Sequence, residues 1–156
     1  MNSGQEFTEA LKAVTPKGAI RPPASNKMIS EIQARYGVRL PEDMAWFYRA
    51  MNGMDWPTWP DNGWILIWNL ESWHRLQDES SLSEESIYSE LMDAILFADH
   101  CDSSWFYAAV FSRESEDLRV YLVDGLRPAK LVARSFTAFV NAALADAADI
   151  YPGEAG

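Results

Sequence analysis

Apolar residues recur at two spacings along this chain, and the helical spacing dominates its two ends. Phe7, Leu11 and Val14 at i, i+4 and i+7 predict a short amphipathic helix that Thr15-Pro16-Lys17-Gly18 ends. Ala19 to Pro23, with Pro22-Pro23, reads as an extended connector. Met28, Ile29, Ile32 and Tyr36 form one stripe of a second helix, capped by Ser25 or Asn26, and Gly37 suits the left-handed position past its end. Pro41 fits the first turn of a third helix, where its missing N–H costs nothing, and Glu42 and Asp43 complement the positive end of the dipole. Met44, Phe47, Tyr48 and Met51 supply its buried stripe, and Asn52-Gly53 stops it. Trp46 falls off that stripe, so it is either an exposed contact residue or covered by a loop. Near the C-terminus Ser135 is an N-cap, and Phe136, Phe139, Val140, Ala143 and Leu144 trace the last helical face.

Between these ends the pattern changes to short runs rich in β-favouring residues. Trp64 to Trp68 reads as a strand, with Trp64 and Trp68 on one face as core candidates. Trp105 to Phe111 and Val120 to Val123 read as two more strands, paired antiparallel across the charged Arg113 to Asp117 connection. Gln77 to Glu85 is Ser- and acid-rich, a solvated loop leading into a helix with Ile87, Tyr88, Leu91, Met92 and Ile95 turned inward. Helices at both ends and strands between them predict one α+β domain over residues 1–156, a mainly antiparallel central sheet of about four to six strands packed against helices. Residues 1–20 form a helical appendage to it.

Composition narrows the function. A hydrophobic share of 48% and seven Trp supply enough apolar material for a packed core. Cys101 is the one cysteine, which excludes an internal disulfide and a multi-cysteine zinc site and fits reducing cytosol. Glu6 and Glu9 interrupt the first twenty residues, and no apolar run approaches the roughly 20 residues of a membrane span, so a cytoplasmic location is expected. The formal net charge of −10 argues against nucleic acid and anionic membrane as partners, because both are bound mainly through Lys and Arg. A basic protein is the complementary partner, although acidity also serves solubility alone.

Reactive chemistry is sparse. Asp99-His100-Cys101-Asp102 combines thiol, imidazole and carboxylate, but neighbours on a strand point to opposite faces, which denies Cys101 and His100 the contact that thiolate activation needs. A metal site would need further ligands, and the other histidine, His74, lies in a Trp-rich segment. The string is therefore read as a strand-end turn with a semi-buried Cys101, and no catalytic, metal or cofactor role is expected for His74, His100 or Cys101. No Gly-rich phosphate loop, nucleophile elbow or HExxH motif is present, and no cofactor is implied.

Residues Ile29 to Gly53, ISEIQARYGVRLPEDMAWFYRAMNG, resemble the opening signature of the SUKH superfamily: a helix ending in Gly, a hydrophobic-Pro pair opening a second helix, and a closing Asn-Gly. Here these are Gly37, Leu40-Pro41 and Asn52-Gly53, and VARSFTAFV, with Ser135, Phe136 and Phe139, is similar to the family's C-terminal approach to a Phe-rich helix. The resemblance spans roughly residues 24–144 and implies a SUKH-like fold and a non-enzymatic protein-binding role. Its bacterial members commonly act as toxin-immunity proteins, and others serve as cytoplasmic regulatory scaffolds. An unrecognised enzyme is the third class.

The partner surface is expected where charge is most one-sided. No Lys or Arg occurs between Arg75 and Arg113, an interval with Asp78, Glu79, Glu84, Glu85, Glu90, Asp93, Asp99 and Asp102. Such a run is either a solvated face or a surface for a basic toxin domain, with Asp78, Glu79, Glu84 and Glu85 as rim charges. Trp56 and Trp59, between prolines in a turn-rich loop, are the aromatic candidates beside it.

Overall fold

The computed structural model of the chain describes residues 3–57, 64–82, 86–113 and 117–153. Four α-helices, α1 (Ser3–Val14), α2 (Asn26–Tyr36), α3 (Glu42–Ala50) and α4 (Phe136–Leu144), cover one face of an antiparallel sheet. Its strands are β1 (Ile65–Ile67), β2 (His74–Arg75), β3 (Ile95–His100), β4 (Trp105–Phe111), β5 (Leu118–Val123) and β6 (Lys130–Ala133). They run in the order β1-β3-β4-β5-β6, with β2 paired to the other half of β3, beside β1.

The helix boundaries follow the local chemistry of their ends. Ser25 caps α2 by accepting from the Met28 N–H at 3.1 Å, and Gly37 closes it at φ 63°, ψ 35°. Ser135 caps α4 by accepting from the Ala138 N–H at 3.0 Å. Pro41 stands one residue earlier than expected: it is the N-cap of α3, its extended ψ of 152° setting the corner, and its carbonyl accepts the first helical bond, from Ala45. Asp43 then joins two helix starts, accepting from Met44 N through Oδ1 and from Thr137 N and Oγ1 through Oδ2.

Asn52-Gly53 does more than end α3. Gly53 has φ 78°, and a Cβ there would lie 2.5 Å from the backbone of Trp68 and Asn69, so the turn after β1 rests directly on its bare Cα. Buried Asn52 accepts from Leu70 N and donates to both Glu71 carboxylate oxygens, at 3.0 and 3.2 Å. Tyr48 Oη donates to Trp68 O and accepts from Trp73 Nε1. The signature residues of α3 therefore anchor the chain from β1 to β2.

The core between helices and sheet is aromatic at its centre, where Phe136 meets Phe47 at 5.1 Å and Phe97 at 6.4 Å, and Phe139 meets Phe97 and Tyr107 at 5.5 and 4.8 Å. Burial of each such ring contributes about 1.5–3 kcal/mol relative to exposure. α1 lies along α3 with Leu11 in this core, and a Cβ on Gly4 would come within 3.0 Å of Trp46 Cδ1. Half-buried Trp46 is thus covered by α1.

Two expectations fail. Ile65 and Ile67 are the buried positions of β1, while Trp64 is 55% exposed and Trp68 half-buried: a run apolar on both faces does not reveal which parity points inward. The helix expected across Ile87 to Ile95 is instead a 3₁₀ stretch, Ser86–Leu91, kinked at Tyr88, with Ile87 exposed and Ile95 opening the central strand.

Candidate partner-binding surface

The second face of the sheet carries its own smaller core. Leu96, Phe106, Ala108 and Val123 point away from the helices and are covered by Leu76, Leu82 and Tyr88 of the irregular segment between β2 and β3. That segment includes the acidic stretch; Leu76, Leu82 and Tyr88 are turned in, while Ile87, Asp78, Glu90 and Asp93 are exposed. Its hold on the sheet is polar as well. Tyr88 Oη donates to Arg127 O at 2.8 Å and accepts from Gly125 N at 2.7 Å, which ties the segment to the β5–β6 turn.

A bulge in β3 shapes the end of this face. Leu96 pairs with Ala108 and Ala98 with Tyr107, so Phe97 is an extra residue, and Phe97 and Ala98 both join the helix-side core. The shift in parity sends Asp99 to the outer face opposite Phe106. There Asp99 is 6% exposed, accepts from Ser103 Oγ at 3.2 Å and receives a second hydrogen bond from the Trp68 side chain. Burial pushes its carboxyl above the ordinary Asp value against these bonds, and the nearby Asp102 charge adds to the rise.

Above it lies a shallow groove of about 360 Å³ lined by Leu66, Trp68, Ser72, His74, Glu79, Ser103 and Phe106. Trp68 stacks on His74 at 5.4 Å and meets Phe106 edge-on at 6.0 Å. His74 Nε2 lies 3.0 Å from Glu79 Oε1 and Nδ1 lies 3.0 Å from Ser72 O. For Glu79, partial burial pushes its carboxyl upward, but the bonds from His74 and from Ser81 N and Oγ prevail and hold it below the ordinary value. The groove thus presents aromatic walls and the Glu79 carboxylate, with no Lys or Arg in its lining, and the buried Asp99 carboxylate lies behind Ser103 rather than on its wall.

Of the residues expected to meet a partner, Glu79 borders this groove and Asp78 is exposed beside it. Trp56 is 49% exposed beside Gly18 and is not among the residues that line the groove. Trp59, Glu84 and Glu85 lie outside the described residues. Trp68, His74 and Phe106 were not foreseen as members of one surface; they come from three separate stretches of chain, and the bulge that brings Asp99 under them leaves no mark in the sequence.

Cys101 departs from expectation: it is exposed, because the chain leaves β3 after His100 through Cys101, Asp102 and Ser103 at φ 46°, 55° and 69°. Its N–H donates to Trp64 O and its carbonyl accepts from Ser104 Oγ, which hold this left-handed turn. His100 faces away from it, stacked on Trp105 at 4.0 Å, and burial pushes its imidazole below the ordinary value despite Asp146. Among the described residues no group of three or more His, Cys, Asp or Glu is arranged to hold a metal ion, and no helix is long and apolar enough to cross a membrane.

A larger recess, about 790 Å³, opens at the opposite end of β3 and β4. Arg75 is fixed there over the Tyr36 ring at 5.3 Å and donates to Asp93 O, with Arg39 and Arg113 facing Glu90 and Asp93 around the rim. Its charges are mixed, unlike the lining of the smaller groove, which holds no Lys or Arg.

Residues 23–142 match the SMI1 / KNR4 family (SUKH-1). No curated protein matches the chain.

Proposed function

Because the chain belongs to the SMI1 / KNR4 family (SUKH-1), an immunity- and regulator-type family, we propose that it is an immunity protein that neutralises a cognate bacterial toxin by binding it directly. The family match over residues 23–142 is the observation that carries this reading. The physical support is the outer face. Its covering segment packs Leu76, Leu82 and Tyr88 on the sheet and leaves Asp78, Glu90 and Asp93 in solvent, on a chain of net charge −10 with no Lys or Arg from residue 76 to residue 112. A basic toxin domain whose working cleft binds a polyanion is complementary to that face, and an acidic occupant would block the cleft. Asp78, Glu79, Glu84 and Glu85 act in this reading as steering charges, and Trp56 and Trp59 as aromatic anchors that slow dissociation.

The test begins with the gene neighbourhood: a toxin-like gene beside this one is expected, and the two proteins are then co-expressed. Relief of growth arrest, a complex on gel filtration, and several-fold slower association for the triple variant Asp78→Lys, Glu84→Lys, Glu85→Lys at low salt are expected. Unrelieved arrest, or relief without a complex, overturns direct neutralisation and favours the regulatory role. Unchanged association of the triple variant removes the acidic stretch from the interface.

A further inference from the structure

The groove over Asp99 has an electrostatic defect that a partner could correct. Asp99 is buried on the outer face, and the groups that act on it, Ser103, Trp68 and Asp102, are all neutral or negative. Glu79 adds a second carboxylate on the groove wall, and no Lys or Arg is among the described residues that line the groove beside it. An ion taken out of water without a counter-charge is costly, and the usual remedy is a paired cation. Besides the small hydroxyls of Ser72 and Ser103, the remaining walls are Leu66, Trp68 and Phe106, apolar or aromatic surroundings in which a delocalised, weakly hydrated cation is held better than a compact ammonium. A recess of about 360 Å³ is at the small end of ligand clefts, which run from about 300 to 1,000 Å³, and suits one inserted side chain.

We infer that this groove is the socket for an arginine side chain of the protein partner, its guanidinium lying against Trp68 and Phe106 and completing the carboxylates of Glu79 and Asp99. The inference rests on the partner being a basic protein, as proposed above, and it names the contact that gives that surface specificity. Ser103 is the movable part. Its hydroxyl donates to Asp99 Oδ2 from an exposed turn, and a guanidinium N–H can take over that position without rearranging the strand. A charge-assisted bond to a desolvated carboxylate is stronger than the neutral one it replaces.

The experiment uses the intact, ¹⁵N-labelled protein and follows the Trp68 indole N–H, assigned with Trp68→Phe. N-acetyl-arginine amide is titrated in, with N-acetyl-lysine amide and the neutral isostere N-acetyl-citrulline amide as further arms. Saturable shifts of the Trp68 signal by the arginine derivative, weaker ones by lysine, and none by citrulline are expected. Asp99→Asn and Glu79→Gln should each weaken arginine binding, the former about tenfold or more. Equal response to citrulline and arginine, or no response to arginine, overturns the socket, and this contrast on the wild-type protein decides even if Asp99→Asn does not fold. Co-expression separates the two claims: protection by a wild-type protein that ignores the arginine probe leaves neutralisation standing and removes the socket.

Discussion

The sheet has two unlike faces. On one, four helices, two of them opened by serine caps, place ring against ring, and Phe47, Phe97, Phe136 and Phe139 are fully buried. On the other, a segment without an α-helix covers Leu96, Phe106, Ala108 and Val123 through Leu76, Leu82, Tyr88 and Ala94, with Leu91 and Met92 half-buried against them, and through a few polar ties, chiefly Tyr88 to the β5–β6 turn and His74 to Glu79. The helical face owes its stability to buried area, which is collective. The outer cover depends on individual side-chain bonds and is the part of the molecule most able to change its surface without changing its fold. Asp78, Glu90 and Asp93 and the groove lie on that cover side.

Truncation in the helical core is the severest way to test the contrast. Phe136→Ala removes a fully buried ring that touches Phe7, Phe47 and Phe97, and should cost about 3–5 kcal/mol. Urea unfolding followed by both aromatic and far-UV signals should show one transition moved to lower denaturant. If only part of the signal moved, the helical layer would not be a single cooperative unit.

A smaller and more local effect is expected from Tyr88→Phe. It keeps the buried ring but strips the hydroxyl shared by Arg127 O and Gly125 N, a loss of about 1–3 kcal/mol. Hydrogen exchange should accelerate in residues 76–82 and 86–94 and in the β5–β6 turn, with the amides of β4 and α3 little affected. Uniform acceleration across both faces would mean the cover is no more detachable than the helices.

The same contrast explains what could be foreseen from the sequence. α2, α3 and α4 were legible because their signals are local: Ser25, Gly37 and Ser135 sit at helix ends and act within four residues of themselves. The β4–β5 hairpin was legible from its two apolar runs. Ile87, Tyr88, Leu91 and Met92 also satisfy a helical template, yet Tyr88 is fixed by a turn 37 residues away and Ile95 belongs to the sheet, so tertiary bonds overrode the local pattern. Asn52-Gly53 was read as a helix stop, and only the 2.5 Å approach of the Trp68–Asn69 backbone shows the clamp. Glu79 was named from charge alone, whereas Trp68, His74 and Phe106 meet only through strand pairing and a bulge at Phe97.

The smallest effect, and the one most particular to the outer face, concerns pH. Asp99 carries a carboxyl whose value in the folded protein is raised, first by burial, so the folded state binds its proton more tightly than the unfolded chain does. Stability from this group is therefore fully present below the unfolded Asp value, near 3.9, and is lost as pH rises through the higher folded value. Where it is ionised, Asp99 has hydrogen bonds but no positive partner among the groups that act on it, and burial of that charge is a penalty. Asp99→Asn abolishes the titration, and its Oδ1 can still accept from Ser103 or Trp68, although one amide donor then needs a partner. Relative to wild type, the Asn variant should thus be at its most favourable at pH 7 and lose that advantage as pH falls into the carboxylate range. Paired urea titrations of both proteins at a series of pH values read this as a converging difference, with Glu79→Gln as the opposite case. Glu79 is held below its ordinary value, so its contribution is present above the unfolded Glu value and lost as pH falls through the folded one. A pH-independent gap between Asp99→Asn and wild type would show that Asp99 is as well solvated as any surface carboxylate. The groove would then have no missing charge for a partner to supply.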